Sequence, residues 1–264
     1  MEAIPYICTT CGVQYNPSEA PPASCPICED ERQYVNPAGQ SWTTMKAVNK
    51  KYKNIIELIA PNLYAIHTTP AFALAQRAHL LVTEQGNILW DCITNLDVST
   101  IDLINKLGGI KAIAISHPHY FSTIAEWSKT FNAPVYINSL DAKWLQRKSD
   151  AFILWEEPKK EFWDGIKIVH CGGHFEGGCI LHWPKGNALL VGDVIQVAPD
   201  LKTVSFMYSY PNMIPLPKKD ILEIQNAVKD LEFDVMYGAF GRNIISNAKE
   251  ATAYSLKRYL KIFE

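Results

Sequence analysis

No apolar run in the sequence approaches the roughly 18 residues that a membrane helix needs, so no membrane partner is expected. An excess of charge of one sign is also lacking: 25 Lys and Arg stand against 27 Asp and Glu, a formal net charge of −2. That balance gives no electrostatic case for nucleic acid or an acidic membrane surface as the main partner. The first residues, MEAIPYICTTC, have no basic stretch followed by an apolar one, so no signal peptide is expected and the cytoplasm is the expected compartment. Internal repeats and low-complexity tracts are missing too. What is present is an ordinary globular composition, 48% hydrophobic and 20% charged over 264 residues, suited to one large domain with a small appendage.

The seven cysteines are unevenly spread. Cys8, Cys11, Cys25 and Cys28 form two knuckles spaced C-x2-C-x13-C-x2-C, while Cys92, Cys171 and Cys179 are scattered through apolar stretches. Paired knuckles, an odd total and no export signal fit metal binding plus buried free thiols in a reducing compartment, not disulfides. Two C-x-x-C pairs supply four thiolates at tetrahedral corners, which suits zinc or iron. The stretches CTTCGVQY and CPIC resemble the knuckles of rubredoxins and zinc ribbons. A segment this short buries too little surface to fold alone, so metal supplies its folding free energy, and a structural zinc is expected at Cys8, Cys11, Cys25 and Cys28.

The composition changes near residue 40. Residues 1–38 read as the ribbon, with NPAGQSW, residues 36–42, as a joint. Residues 54–264 read as an α/β domain. NLYAIHT, AHLLVTEQ and NILWDC are strands, with EQGN a hairpin turn. VSTIDLINKLG is a helix capped by Ser99 or Thr100. The strand IKAIAIS, the helix STIAEWSKTF and the strand APVYIN follow. IKIVHC, GCILHW and ALLVGDV are three further strands, and two amphipathic helices, KKDILEIQNAVKDL and AKEATAYSLKRYLKIF, flank a last strand, FDVMYG.

The strand IKAIAIS ends in SHPHYFS. In an extended segment, residues two apart point the same way, so His117 and His119 can reach one ion, with Pro118 stiffening the link. His174 follows in CGGHFEGG, and Asp193 in LLVGDVI. This order resembles the metallo-β-lactamase superfamily, whose pattern reads H-x-H-x-D-H, a later G-H, then G-D, then a final histidine. His117 and His119 match the first pair, Gly173-His174 the G-H, Gly192-Asp193 the G-D, and Asp91 of NILWDC an acidic residue at an early strand end. The resemblance covers residues 54–264 and implies a four-layer αββα sandwich with the metal at an edge between two sheets. It also implies that His117, His119 and His174 hold one metal, with Asp193 as fourth ligand or as holder of a water. The family's Asp and second His fall on Phe121 and Ser122, and its final histidine falls within GAFGR, around Ala239 to Arg242. One histidine pocket is kept and the second has lost its ligands.

Three histidines around zinc, or iron, bring the pKa of a bound water toward about 7, which suits hydrolysis of a small ester, thioester or lactone. Phe121 cannot replace the missing carboxylate, which leaves Asp193 as the catalytic candidate. The alternative is a non-catalytic module that binds a metabolite or a protein. A flavodiiron-like redox role is disfavoured, because Tyr120-Phe121 supply no carboxylate for a second iron and no flavin domain follows. His67, His79, His170 and His182 match no ligand position, although His170 could support His174. Tyr120 reads as packing, Glu176 as a turn residue, and Arg242 as a surface pair or an anion anchor. Phe72, Phe206, Tyr208 and Tyr210 suggest an aromatic rim for a small-molecule substrate or a homodimer contact.

Overall fold

The strands IKAIAIS, APVYIN and their neighbours carry too many apolar residues for a sheet with a solvated face, and they are buried on both sides. The computed structural model describes residues 3–264. Seven strands form one sheet in chain order: Lys53–Ala60, Leu63–Thr69, Ala78–Leu81, Ile88–Trp90, Ala112–Ala114, Val135–Asn138 and Phe152–Trp155. The first four pair antiparallel and the last four run parallel. Parallel neighbours need a crossover, and helices Val98–Lys106 and Ile124–Phe131 supply two of them. A six-stranded sheet follows: Lys159–Glu161, Lys167–His170, Cys179–Trp183, Ala188–Leu190, Val235–Tyr237 and Asn243–Ile244.

Period-two alternation sorts each strand between two faces. Leu81, Ile88, Trp90 and Ala114 of the first sheet join Cys179, Leu181, Leu190 and Tyr237 of the second in one buried cluster. Their chain neighbours Leu80, Leu89 and Ile113 turn the other way and cluster with Ile104, Ile124 and Trp127 of the two crossover helices. Ile180, Leu189 and Met236 lie under Ile221, Ile224 and Leu256, from helices Lys218–Val228 and Ala248–Leu260. The layers are therefore helix, sheet, sheet, helix, the αββα sandwich that the resemblance implied.

Local details differ from the sequence reading. The cap of helix Val98–Lys106 is Asp97, whose Oδ1 accepts from the Thr100 amide at 2.9 Å, and not Ser99 or Thr100. The strand Lys53–Ala60 was not expected, because as an edge strand it alternates around half-exposed positions and shows no apolar face. At the N-terminus Ile7–Cys8 pairs with Trp42–Thr43, and a single helical turn, Pro26–Glu29, follows Cys25. All four knuckle cysteines belong to the buried cluster on the outer face of the seven-stranded sheet. Among the described residues, no helix is long and apolar enough to cross a membrane.

Candidate metal centre

The four knuckle sulfurs already stand as ligands would. Cys8 Sγ lies 3.6 Å from Cys28 Sγ, and Cys11 Sγ lies 3.7 Å from Cys25 Sγ. Four bonds of about 2.3 Å to tetrahedral corners would place sulfurs about 3.8 Å apart, so this set fits zinc or iron. Gln40 Nε2 donates to Cys8 Sγ at 3.1 Å, a bond that favours a thiolate. The Cys8 thiol is pushed down, chiefly by hydrogen bonding from Cys11. Gly12 closes the first knuckle at φ +82°, where a Cβ would collide with Thr94 Oγ1.

The second cluster begins where the strand Ala112–Ala114 ends. Asp91 follows the neighbouring strand at φ +64°. Its Oδ1 accepts from the Ser116 amide at 2.7 Å and its Oδ2 from Ser116 Oγ at 3.0 Å. Ser116 Oγ in turn lies 2.8 Å from His117 Nδ1. With Asp91 ionised and the hydroxyl proton given to it, Nδ1 donates to Ser116 Oγ, the tautomer that leaves His117 Nε2 with its lone pair toward the centre. Burial pushes the Asp91 carboxyl well above its ordinary value, against the two Ser116 bonds that favour the anion.

His119 arrives differently from the sequence expectation. The backbone is extended at His117, but Pro118–Tyr120 is a 3₁₀ turn, so the turn, and not strand alternation, brings the second imidazole round. His174 sits after Gly172 and Gly173, both at positive φ, and a Cβ on Gly173 would lie 2.9 Å from Ile224 Cδ1. His174 Nδ1 donates to the Met207 carbonyl at 3.1 Å, and its Nε2 faces His119 Nδ1 at 3.2 Å. Asp193 Oδ2 is 3.5 Å from His117 Nε2. One ligand atom from each of His117, His119, His174 and Asp193 lies within 4.8 Å of all the others.

These four side chains are nearly sealed, at 1, 3, 1 and 4% exposure. His117 Nε2, His119 Nε2 and Asp193 Oδ1 are buried without a hydrogen-bond partner in the protein. Buried polar atoms normally find partners, so an unpartnered His117 Nε2 beside Asp193 Oδ2, with His119 Nδ1 facing His174 Nε2, fits a cation within the cluster. Burial, then the charges of neighbouring imidazoles, depresses the pKa of His119 well below its ordinary value and that of His174 to about 4. Both are neutral near pH 7, the form that ligates a metal. Burial pushes the Asp193 carboxyl up, but the neighbouring His117 and His174 imidazoles outweigh it and hold the pKa below the ordinary carboxylate value.

The positions that lost ligands are filled by packing. Phe121 is buried beside the knuckle cysteines, and Ala239 of GAFGR belongs to the same cluster. Ser122 Oγ is taken up by the Cys92 carbonyl at 3.3 Å. Arg242 is exposed, and the guanidinium against GAFGR belongs to Arg77, which would meet a Cβ on Gly241 at 2.5 Å. His170 Nε2 pairs with the Glu176 carbonyl at 2.8 Å and pins the turn that carries His174. His182 pairs with the Glu232 carbonyl, Glu176 with Lys143, and Tyr120 packs its ring 5.3 Å from His117.

The aromatic rim needs correction. Phe206 is fully buried in the second core against Tyr259, so it cannot line an entrance. Phe72 packs on Tyr52. Tyr208 stacks on Arg32, and Tyr210 lies against His174 while its hydroxyl donates to the Asp193 carbonyl at 3.0 Å. Arg32 was not anticipated at all: its Nε donates to the His174 carbonyl at 2.6 Å.

Two facing sheets between helix layers, with three histidines and an aspartate gathered beside a strand end, define a metallo-β-lactamase fold, here with a four-cysteine cluster ahead of it. The chain belongs to the metallo-beta-lactamase superfamily: its family model matches residues 72–238. The chain is 49% identical over 262 residues to "Uncharacterized protein YmaE" of Bacillus subtilis (strain 168), across 97% of this chain and 96% of that one. Its fold is similar to the DIM-1 metallo-beta-lactamase (TM-score 0.59, 15% identity, 78% of this chain and 94% of that chain). It is also similar to FIM-1 from Pseudomonas aeruginosa in its mono-zinc form (TM-score 0.56, 13% identity, 78% and 96%). A third similar structure is TTHA1623 in a di-iron-bound form (TM-score 0.53, 18% identity, 72% and 98%).

Proposed function

We propose that this chain is a hydrolase with a single metal in the histidine centre, acting on a small ester, thioester or lactone. The observation that carries the reading is the buried gathering of His117, His119, His174 and Asp193, one ligand atom of each within 4.8 Å of all the others, with His117 Nε2 left without a hydrogen-bond partner. In this reading His117, His119 and His174 hold the ion and Asp193 is its fourth ligand or a proton acceptor beside it. The metal, zinc or iron, supplies Lewis acidity and brings the pKa of a water it binds toward about 7. Ser116 and the Met207 carbonyl keep the Nε2 lone pairs of His117 and His174 free, and Tyr210 holds the Asp193 main chain.

The proposal includes a division of labour: residues 1–38 are a ribbon folded by a structural metal at Cys8, Cys11, Cys25 and Cys28, and residues 54–264 carry the chemistry. Its setting is the cytoplasm, with a small-molecule substrate and no nucleic acid or membrane partner; a homodimer fits the chain as well as a monomer does. The test is hydrolysis of an ester, thioester and lactone panel with added zinc, iron or manganese, with His119→Ala as the blank. Wild type should exceed the blank, and Asp193→Asn should fall by ~100- to 10,000-fold, the usual span for a lost proton acceptor. The near-complete burial of all four ligands favours a second reading, a non-catalytic binding module. Indistinguishable wild type and blank across the panel would establish it in place of the hydrolase.

A further inference from the structure

The four-cysteine segment does not hang beside the sandwich; it is built into the wall of the histidine centre. Cys28 lies in the helical turn Pro26–Glu29, and Asp30 closes that turn by donating its amide to the Pro26 carbonyl at 3.1 Å. Asp30 then grips Arg32: its Oδ1 accepts from the Arg32 amide at 3.0 Å and from Nη1 at 2.8 Å. Four residues after the last cysteine, the guanidinium enters a slot between Phe175 and Tyr208, 4.6 and 4.4 Å from their ring centres. From there Nε donates to the His174 carbonyl at 2.6 Å.

The slot borders His174 most directly, although the Phe175 ring also packs on His117 and His119. Phe175 is the chain neighbour of His174, and Tyr208 follows Met207, whose carbonyl holds the His174 ring. Arg32 thus touches the chain neighbour of His174, the chain neighbour of Met207 and the main chain that carries the imidazole. Asn212 clamps the arginine's flanks, donating from Nδ2 to the Glu31 carbonyl at 2.9 Å and the Gln33 carbonyl at 3.0 Å. Elsewhere the segment is seated on the other histidine motif: the Gln14 amide donates to the Ser122 carbonyl at 2.9 Å, and Thr94 Oγ1 donates to the Gly12 carbonyl at 3.0 Å. Arg147 ties Gln14 to Glu126 beside them.

A planar guanidinium can fill an aromatic slot and donate in its own plane, which an ammonium cannot do. The position of Arg32 depends on the turn after Cys28, and that turn depends on the four sulfurs staying together. We propose that Arg32 is the positioning residue of the histidine centre, and that the metal state of the four cysteines thereby sets the metal affinity of the three histidines. This rests on the reading that His117, His119 and His174 hold a metal.

The experiment uses the full chain with zinc on the cysteines and Co²⁺ titrated into the histidine centre. The visible d–d absorption reports the histidine site, and a thiolate-to-metal band in the near ultraviolet would reveal any Co²⁺ on the cysteines. Hydrogen exchange at the Gly177 and Gly178 amides, measured without Co²⁺, reports the His174 turn independently of metal. Arg32→Ala should weaken Co²⁺ binding about tenfold or more, alter the d–d band and speed that exchange, while thermal unfolding shows the fold retained. Arg32→Lys should behave like the alanine variant, since charge alone does not restore the slot. Cys25→Ser, which opens the cluster, should weaken Co²⁺ binding by a similar factor. Wild-type affinity, spectrum and exchange in Arg32→Ala would overturn the proposal, as would wild-type affinity in Cys25→Ser that has lost its zinc. If wild type shows no more Co²⁺ absorption than His119→Ala, the metal reading itself has failed. Exchange in Arg32→Ala then still decides whether Arg32 positions the turn.

Discussion

Ser116 shows how much a single hydroxyl decides. With Asp91 ionised and accepting its one proton in a hydrogen bond, Ser116 Oγ accepts from His117 Nδ1, which keeps the imidazole in the tautomer a metal needs. Ser116→Ala should lower metal affinity at the histidines by about tenfold, read by equilibrium dialysis against a competing chelator. His79 offers a test by pH. It is buried opposite Trp90 with Nδ1 unpartnered, and burial followed by the charge of Arg77 depresses its pKa from 6.5 to about 3. The unfolded chain takes up a proton that the folded chain refuses, so this contribution to stability is complete above pH ~6.5 and is lost as pH falls toward 3, by about 1.4 kcal/mol per unit. His79→Leu should flatten that part of the wild-type curve of denaturation midpoint against pH. The residues of SHPHYFS, CGGHFEGG and LLVGDVI were legible in sequence because a pattern of ligand types survives chain folding. Arg32 was not. In EDERQ it reads as one charge among several on a solvated run, and its partners lie 142 residues away.

At the scale of elements, the knuckles and the buried strands could be read directly, since each advertises itself locally: paired cysteines by spacing, strands by apolar runs between turn residues. The edge strand Lys53–Ala60 could not, because a strand with one partner and half-exposed faces has no periodic signature. Nor could the 3₁₀ turn Pro118–Tyr120, which needs the same short stretch as an extended strand would. The N-terminal segment is the element with the sharpest expected response. Cys8→Ser combined with Cys25→Ser should release one metal per chain and make residues 1–38 protease-sensitive, while residues 54–264 keep their far-ultraviolet circular dichroism. Retention of the metal by that double variant would sink the idea that the ribbon is metal-built.

The whole molecule joins its sheets through one shared core, so damage there should be global. Leu181, fully buried between the sheets, should cost about 2–5 kcal/mol when changed to Ala, seen as a single shifted denaturation transition. Metal content should total at most two ions per chain, one on the cysteines and one on the histidines, by elemental analysis. A third tightly held ion, or two ions about 3.5 Å apart near Asp193, would refute the single-metal centre. The sandwich as a whole was legible because its alternation and motif order are regular; the docking of the ribbon was not, because its seat is assembled from Thr94, Ser122, Phe121 and Ala239, ordinary residues until the chain brings them together. That seat has a practical consequence. A shortened protein beginning at residue 54 would keep His117, His119 and His174 yet present bare apolar side chains where Cys11 and its neighbours had lain. Such a fragment should self-associate and elute early in gel filtration, so trimming the N-terminus to simplify the protein would trade a clean sample for a sticky one.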